Sequence, residues 1–251
     1  MTVIYHLNVR LVACEARVFI NGFPVEHIDA RAAPRESAPP INLCLTGAYN
    51  RLDAEIHFEH EASEQVAVEG EILRFEKGDV VGPGAGDPVL SWSLPRQLRD
   101  QPSPWVFSEQ FSTVDAPSFE HRLRAASQLR DEEAIRDYAM YVRELIARGM
   151  VDEFVEQMRP KLDDFARAFD EPVTTFEADL REYFRTVLLP GASVLDFSRS
   201  EVVPRPYCEG RVWELRRGTD DALITVPVDG GVVYRLPLYV GSHDGELEIV
   251  R

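Results

Sequence analysis

The chain is poor in lysine and cysteine and has no long apolar run. Only Lys77 and Lys161 of its 27 basic residues are lysines, a bias that fits a GC-rich genome and indicates no mechanism. The three cysteines are odd in number and lack CxxC spacing, which argues against a disulfide framework and a zinc site. No apolar run approaches the roughly 20 residues of a membrane helix, and the first residues show no signal-peptide pattern. We therefore expect a cytoplasmic protein with no membrane partner.

Positive charge is scarce as well. The formal net charge is −16, from 27 basic and 43 acidic residues. Nine basic and 17 acidic residues precede Ala116, and 18 and 26 follow from there, so each part carries −8. Such a field repels phosphate backbones and anionic headgroups, so we expect no nucleic-acid partner. A basic protein is the partner that this charge favours, and solubility alone is the simpler explanation.

The front of the chain has the period-two pattern of β-strands. Apolar and polar residues alternate from Leu52 to Glu59, and Asn21-Gly22 separates two β-prone runs as a tight hairpin turn would. Six or more short strands at about ten-residue spacing predict an all-β antiparallel sandwich over residues 1–100. Four prolines then mark residues 101–117 and their surroundings as a linker, although Trp105 to Phe111 could form a strand.

From residue 118 to 251 the pattern becomes helical and then returns to strands. Asp131 is a candidate N-cap for a first strong helix that Gly149 ends. A second apolar stripe follows with Pro160 as a kink or break, and Thr174 with Glu177 fits a capping box for a third helix. Strand-like runs begin at Val194. We predict an α+β domain of three helices followed by an antiparallel meander.

Several motifs fall short of a catalytic or metal site. The loop Gly82–Gly86 lacks the Lys-Ser/Thr ending of a phosphate loop. His57 and His60 would point to opposite faces of a strand. Cys14 and Cys44 are expected as small buried hydrophobes, and a nucleophilic Cys208 has little support. We predict no catalytic residue, no metal ligand and no cofactor.

The most suggestive residues are aromatic. They could line a pocket for a small apolar ligand between helices and sheet, with Asp137 or Glu214 as its carboxylate, or they could be ordinary core. The set is Tyr138, Tyr141, Tyr183, Trp213, Tyr234 and Tyr239.

Two segments resemble known families. Val18–Val25 and then Leu45–Leu52 form a strand–Asn-Gly–strand pattern followed by a turn, which resembles galactose-binding-like jelly rolls. That resemblance implies a sandwich with a carbohydrate or protein ligand. From Pro117 onward, the element order is similar to the nuclear transport factor 2-like cone fold, whose enzymes place a Tyr/Asp or His/Asp pair inside the cone. Tyr138 and Asp137 would be that pair here, but adjacency on a helix argues against both facing inward.

Three functions remain open from the sequence. The leading hypothesis is a non-catalytic cytoplasmic binding protein, an acidic protector of immunity type for a basic partner. The second is a cofactor-free isomerase, dehydratase or hydrolase with a cone-shaped pocket in the second domain. The third is a carbohydrate-binding accessory protein, which requires Trp92 and Trp105 to be exposed. Partner identity and oligomeric state do not follow from the sequence.

Overall fold

The structure is a computed structural model of the 251-residue chain. It describes residues 2–59, 65–82, 84–94, 103–190, 197–218, 221–227 and 233–251. The chain divides into two compact units, Met1–Leu123 and Arg124–Arg251.

The first unit is built from antiparallel β-sheet, as the alternating sequence pattern predicts. Its strands are β1 (Val3–Val12), β2 (Glu15–Ile20), β3 (Phe23–Asp29), β4 (Arg35–Ser37), β5 (Tyr49–His57), β6 (Ala67–Glu76), β7 (Asp87–Ser93) and β8 (Trp105–Ser112). They form two four-stranded sheets, with the strand orders β4-β1-β6-β7 and β3-β2-β5-β8. A short helix, α1 (Glu120–Leu123), closes the unit.

Each sheet buries one face. In β1, Tyr5, Leu7 and Val9 are almost fully buried, and the residues between them are more exposed. In β5, Leu52 and Ile56 are buried in the same alternating way. Because side chains alternate across a strand, the opposite face of the first sheet carries the even-numbered residues of β1.

The predicted Asn21-Gly22 hairpin is confirmed. Both residues have positive φ, 53° and 80°, as a tight turn between β2 and β3 requires. The Asn21 amide donates to Cys44 O and to Asn50 Oδ1, each at 2.8 Å. Asn50 is itself buried, and its Oδ1 also accepts from the Thr46 backbone N–H at 2.8 Å. The polar residues of these turns therefore bind one another.

The proline-flanked stretch after residue 100 contains a strand. β8 pairs with β5 from Ile56–Trp105 to Tyr49–Ser112, so the alternative interpretation of Trp105 to Phe111 is the one that the structure has. Residues 95–102 lie outside the described part of the chain. β8 is thus held by the second sheet along its whole length.

The helices of the second unit are more numerous than predicted. They are α2 (Glu132–Ala147), α3 (Val151–Gln157), α4 (Arg159–Phe169) and α5 (Val173–Tyr183), the last continuing as a π-helical turn over Phe184–Leu188. The prediction of three helices was wrong because the stripe around Pro160 is two helices that meet at Met158. Proline fits the first turn of a helix, where its missing N–H has no intrahelical partner.

One of the two predicted helix caps is present in the structure. Asp131 caps α2 as predicted and accepts from Glu133 N at 3.0 Å and Ala134 N at 3.1 Å. The capping box at Thr174 and Glu177 was wrong, since α5 starts at Val173 after the extended Pro172. Thr174 therefore lies inside the first turn of α5 rather than at its cap.

The strands of the second unit form a mixed order rather than a simple meander. They are β9 (Val202–Tyr207), β10 (Val212–Arg217), β11 (Asp221–Ala222), β12 (Ile224–Pro227), β13 (Val233–Leu236), β14 (Leu238–His243) and β15 (Glu246–Ile249). β10 pairs with β9, β11 and β14, β14 pairs with β15, and β12 pairs with β13 in a separate two-stranded sheet. The predicted meander is therefore interrupted, because β14 returns to β10 after the β12–β13 hairpin. The predicted strand at Val194 lies almost wholly outside the described residues.

The apolar core of the second unit lies between these helices and one face of the sheet. Ile135 and Val142 of α2 are fully buried in it, together with Phe154, whose ring lies 5.2 Å from that of Phe184. Trp213 of β10 joins the same core.

Candidate functional site

The outer face of the first sheet holds a groove formed by two cavities. The first, of about 490 Å³, is lined by residues that include Asn8, Arg10, Glu36, Glu69, Glu71 and Ser91. The second, of about 360 Å³, is lined by residues that include His6, Asn8, Glu36, Ala38, Leu73 and Val81. Since the cavities share Asn8 and Glu36, we treat them as one feature and call it the front groove.

Strand register brings the residues of the front groove together. Arg10 lies opposite Glu36 of β4 and opposite Glu69 of β6. Two residues further along, Asn8 lies opposite Glu71, which in turn lies opposite Ser91 of β7. These positions alternate with the buried residues of β1, so they all project from the outer face.

One end of the groove is acidic. Three carboxylates, Glu36, Glu69 and Glu71, face the single guanidinium of Arg10. The ion pair between Arg10 and Glu69 is 4.0 Å long, with the two side chains 63% and 69% exposed, so it is weak. Glu71 accepts a hydrogen bond from the Ser91 hydroxyl at 3.4 Å. Among the described residues, Glu36 and Glu71 form no ion pair.

The other end of the groove is apolar. His6 lies opposite Leu73, which is buried, and its ring packs edge-on against Phe75 at 5.3 Å. His6 Nδ1 lies 2.9 Å from Ala38 O, a hydrogen bond that ties the ring to the backbone beside β4. Val81, 42% exposed, lies at the open side of this end.

Asn8 lies between the two ends. Its Oδ1 is buried, and no described residue donates a hydrogen bond to it. A buried amide oxygen without a hydrogen-bond donor costs free energy. A rotation of the Asn8 side chain that lets a bound group donate to this oxygen recovers that free energy.

The aromatic residues singled out in the sequence are divided between several places. Tyr138 is half-buried against the core of the second unit and donates to Gln157 Oε1 at 2.7 Å, and burial raises its pKa. Its ring lies 6.1 Å from that of Tyr141, which is 44% exposed. Tyr183 is half-buried at the same core. Tyr234 lies in β13, and its side chain is outside the described part of the structure.

Trp213 and Tyr239 lie on opposite faces of the second unit's sheet. Trp213 pairs with Val240 on the core face and donates to Gly210 O at 3.0 Å. Tyr239 pairs with Glu214 on the other face. There the Tyr207 hydroxyl donates to Glu214 Oε2 at 3.1 Å, and burial first, then the Glu214 charge, raises the pKa of Tyr207 to about 12. The structure therefore brings Tyr138 and Tyr141 together but separates Tyr239 from Trp213.

The candidate Tyr138–Asp137 pair points in two directions. Asp137 is exposed, and its Oδ1 accepts from Arg199 Nε at 2.5 Å, which holds the pKa of that carboxyl below its usual range. The Tyr138 ring instead packs against the core. The two side chains do not form an acid/base pair.

The cysteines singled out in the sequence lie in buried environments. Cys14, Cys44 and Cys208 are buried and form no disulfide with one another, and burial raises the pKa of Cys208 to about 12, which disfavours the thiolate. His60 lies outside the described residues. Within the described ranges, no three His, Cys, Asp or Glu side chains are placed to hold a metal ion. No helix there combines the length and apolar character needed to cross a bilayer.

Trp92 and Trp105 are half-buried rather than exposed. Their rings stack on that of Phe107, at 5.9 Å and 5.7 Å between centroids. A carbohydrate-binding platform needs an aromatic ring with a free face. Trp92 and Trp105 each stack one face on Phe107 instead.

Sequence reasoning missed the front groove. Glu69 and Glu71 occupy alternate positions of a strand, which indicates a shared outward face. The register of β1 and β4 determines which of their residues lie beside Glu69 and Glu71. No local sequence pattern predicts that register.

Comparison with known proteins gives no further guide. The chain matches no protein family, no curated protein and no solved structure.

Proposed function

We propose that this protein is a binding protein that holds a basic segment of a partner protein in the front groove. The observation that carries the proposal is the acidic end of the groove, where three carboxylates face one guanidinium on an open sheet face. In this proposal the two sheets pack as a sandwich, and the protein is a cytoplasmic protector of immunity type for its basic partner.

Electrostatics supports a cationic ligand. A cation 4 Å from a carboxylate at a protein surface gains about 4 kcal/mol of Coulomb energy, most of which desolvation and screening offset. Several such contacts, from Glu36, Glu69 and Glu71 together, are needed for useful affinity. The net charge of −16 adds a long-range field that speeds the approach of a basic partner.

The second unit favours a ligand pocket less. Tyr138 and Trp213 pack into or against its apolar core, and Asp137 pairs with a surface arginine. The pair nominated for acid/base chemistry, Tyr138 and Asp137, is thus divided between the core and the surface.

The test is binding of a fluorescent arginine-rich peptide to the full chain, followed by anisotropy. We expect the Glu69→Gln/Glu71→Gln variant to bind about tenfold more weakly, a change of about 1.4 kcal/mol. Raising the ionic strength to about 0.5 M should weaken wild-type binding in the same direction.

A matched control separates the groove from the overall charge. Glu55→Gln/Glu109→Gln removes the same charge from the second sheet, where Glu109 is exposed. This control should stay within about twofold of wild type. Equal losses in both variants, or no binding by the wild type, would refute the proposal.

A further inference from the structure

The outer face of β6 changes from charged to apolar along the strand. Its outward residues are Glu69, Glu71, Leu73 and Phe75, in that order. The facing residues of β1 change in parallel from Arg10 through Asn8 to His6. A ligand that fills the groove therefore meets mainly carboxylates at one end and a more apolar wall, which still includes Glu36, at the other.

The spacing between the two ends is set by strand geometry. Successive outward residues of a strand are about 6.6–6.8 Å apart, because each residue rises about 3.3–3.4 Å. Glu71 and Leu73 are one such step apart. An extended peptide lying along the face has the same repeat, with its side chains i and i+2 directed to the same side.

The glycine-rich loop forms the wall of the apolar end. Gly86 has a φ of 82°, and a Cβ there would lie 2.7 Å from the ring of Phe75. The loop can pack on Phe75 only because this residue is glycine. Val81 and Gly82 line the second cavity, whereas the neighbouring Val80 is 84% exposed and does not line it.

We infer that the front groove recognises an extended segment of a basic protein in which a basic residue and an apolar residue are two positions apart. The basic side chain lies among Glu36, Glu69 and Glu71, and the apolar side chain lies against Leu73 and Val81. The charge complementarity of the acidic end selects this occupant. The inference rests on the proposed function and adds a sequence requirement to it.

The test compares peptides of equal length and charge. One carries Arg and Leu at i and i+2, one carries them at i and i+1, and one has Ser in place of Leu. We expect the i, i+2 peptide to bind about fivefold more tightly than the Ser peptide, as partial burial of a leucine side chain provides. The i, i+1 peptide should show no such gain, because its leucine points away from the sheet.

Substitutions at two neighbouring valines test where the gain in peptide affinity arises. Val81→Ser should abolish the advantage of the i, i+2 peptide over the Ser peptide. Val80→Ser, one residue away and outside the lining, should leave that advantage unchanged. A gain that persists in Val81→Ser, or that is the same for both spacings, overturns the inference. If arginine peptides bind but leucine adds nothing, this inference alone fails, whereas an absence of all binding removes the proposed function too.

Discussion

The indole of Trp92 lies directly over Gly70. The two residues are paired across β6 and β7, and a Cβ built on Gly70 would overlap the indole ring. The ring can occupy this position only because Gly70 has no side chain. From there Trp92 stacks on Phe107 of the other sheet.

We expect Gly70→Ala to destabilise the protein by about 1–3 kcal/mol, because the methyl group and the indole cannot occupy the same space. Urea denaturation followed by circular dichroism measures this. Gly82→Ala is the control, since nothing lies within 4 Å of a Cβ built there. Adding Trp92→Leu should restore part of the loss in the Gly70 variant; if the double variant is no more stable, the overlap is not the cause.

Removing the amide of Asn50 should cost about 1–3 kcal/mol. In Asn50→Ala the buried Thr46 N–H and the Asn21 amide lose an acceptor, and Thr113 Oγ1 loses the donor 3.1 Å away. The free energy of unfolding from urea titration measures the effect. Gln110→Ala, at an exposed position of β8, should change it by less than about 0.5 kcal/mol. Equal effects of the two substitutions would contradict the role of the network.

The ion pairs of Arg199 should make the stability of the protein depend on pH in the acid range. Hydrogen bonds from Arg199 hold the pKa values of Glu133 and Asp137 below their usual range. The folded state therefore binds these protons less readily than the unfolded chain, so the stabilisation is present above about pH 4 and is lost as the pH falls through the lowered values. Arg199→Gln should lower the thermal midpoint at pH 7 and converge with wild type in acid. A difference that is the same at every pH argues against this linkage.

Lys161 should likewise make the free energy of unfolding rise with pH, here in the alkaline range. Burial first, then the charge of Arg251, lowers its pKa to about 8 from 10.5. Between these values the unfolded chain binds more protons, so the free energy of unfolding contributed by this group rises with pH. Lys161→Met should be more stable than wild type at pH 7, and the difference should shrink by pH 10. Lys77→Met, at an exposed site, controls for the loss of a lysine; the idea fails if the Lys161 difference does not shrink.

Local patterns in the sequence account for the parts of the fold that local chemistry determines. Asn21-Gly22 specifies its turn through positive φ, and Asp131 specifies the start of α2 through its side-chain oxygen. Pro160 was ambiguous because proline suits the first turn of a new helix as well as a kink. Met158, which caps both α3 and α4, carries no side-chain signal for either role.

The features that the sequence did not predict depend on pairing between distant residues. Trp213 and Tyr239 look alike as aromatic strand residues, yet register sends them to opposite faces. The front groove needs β1 beside β6, which are more than fifty residues apart along the chain. Hydrophobic periodicity shows which residues share a face of one strand, but not which strand lies next to it.

The stack of Trp92, Phe107 and Trp105 has a practical consequence. The chain has three tryptophans, and the remaining one, Trp213, is buried in the core of the second unit. The intrinsic fluorescence of the protein thus comes from two sources of different surroundings, one in each unit. Replacing Trp213 with Phe leaves tryptophan emission from the first unit alone, so the unfolding of that unit can be followed on its own within the full chain.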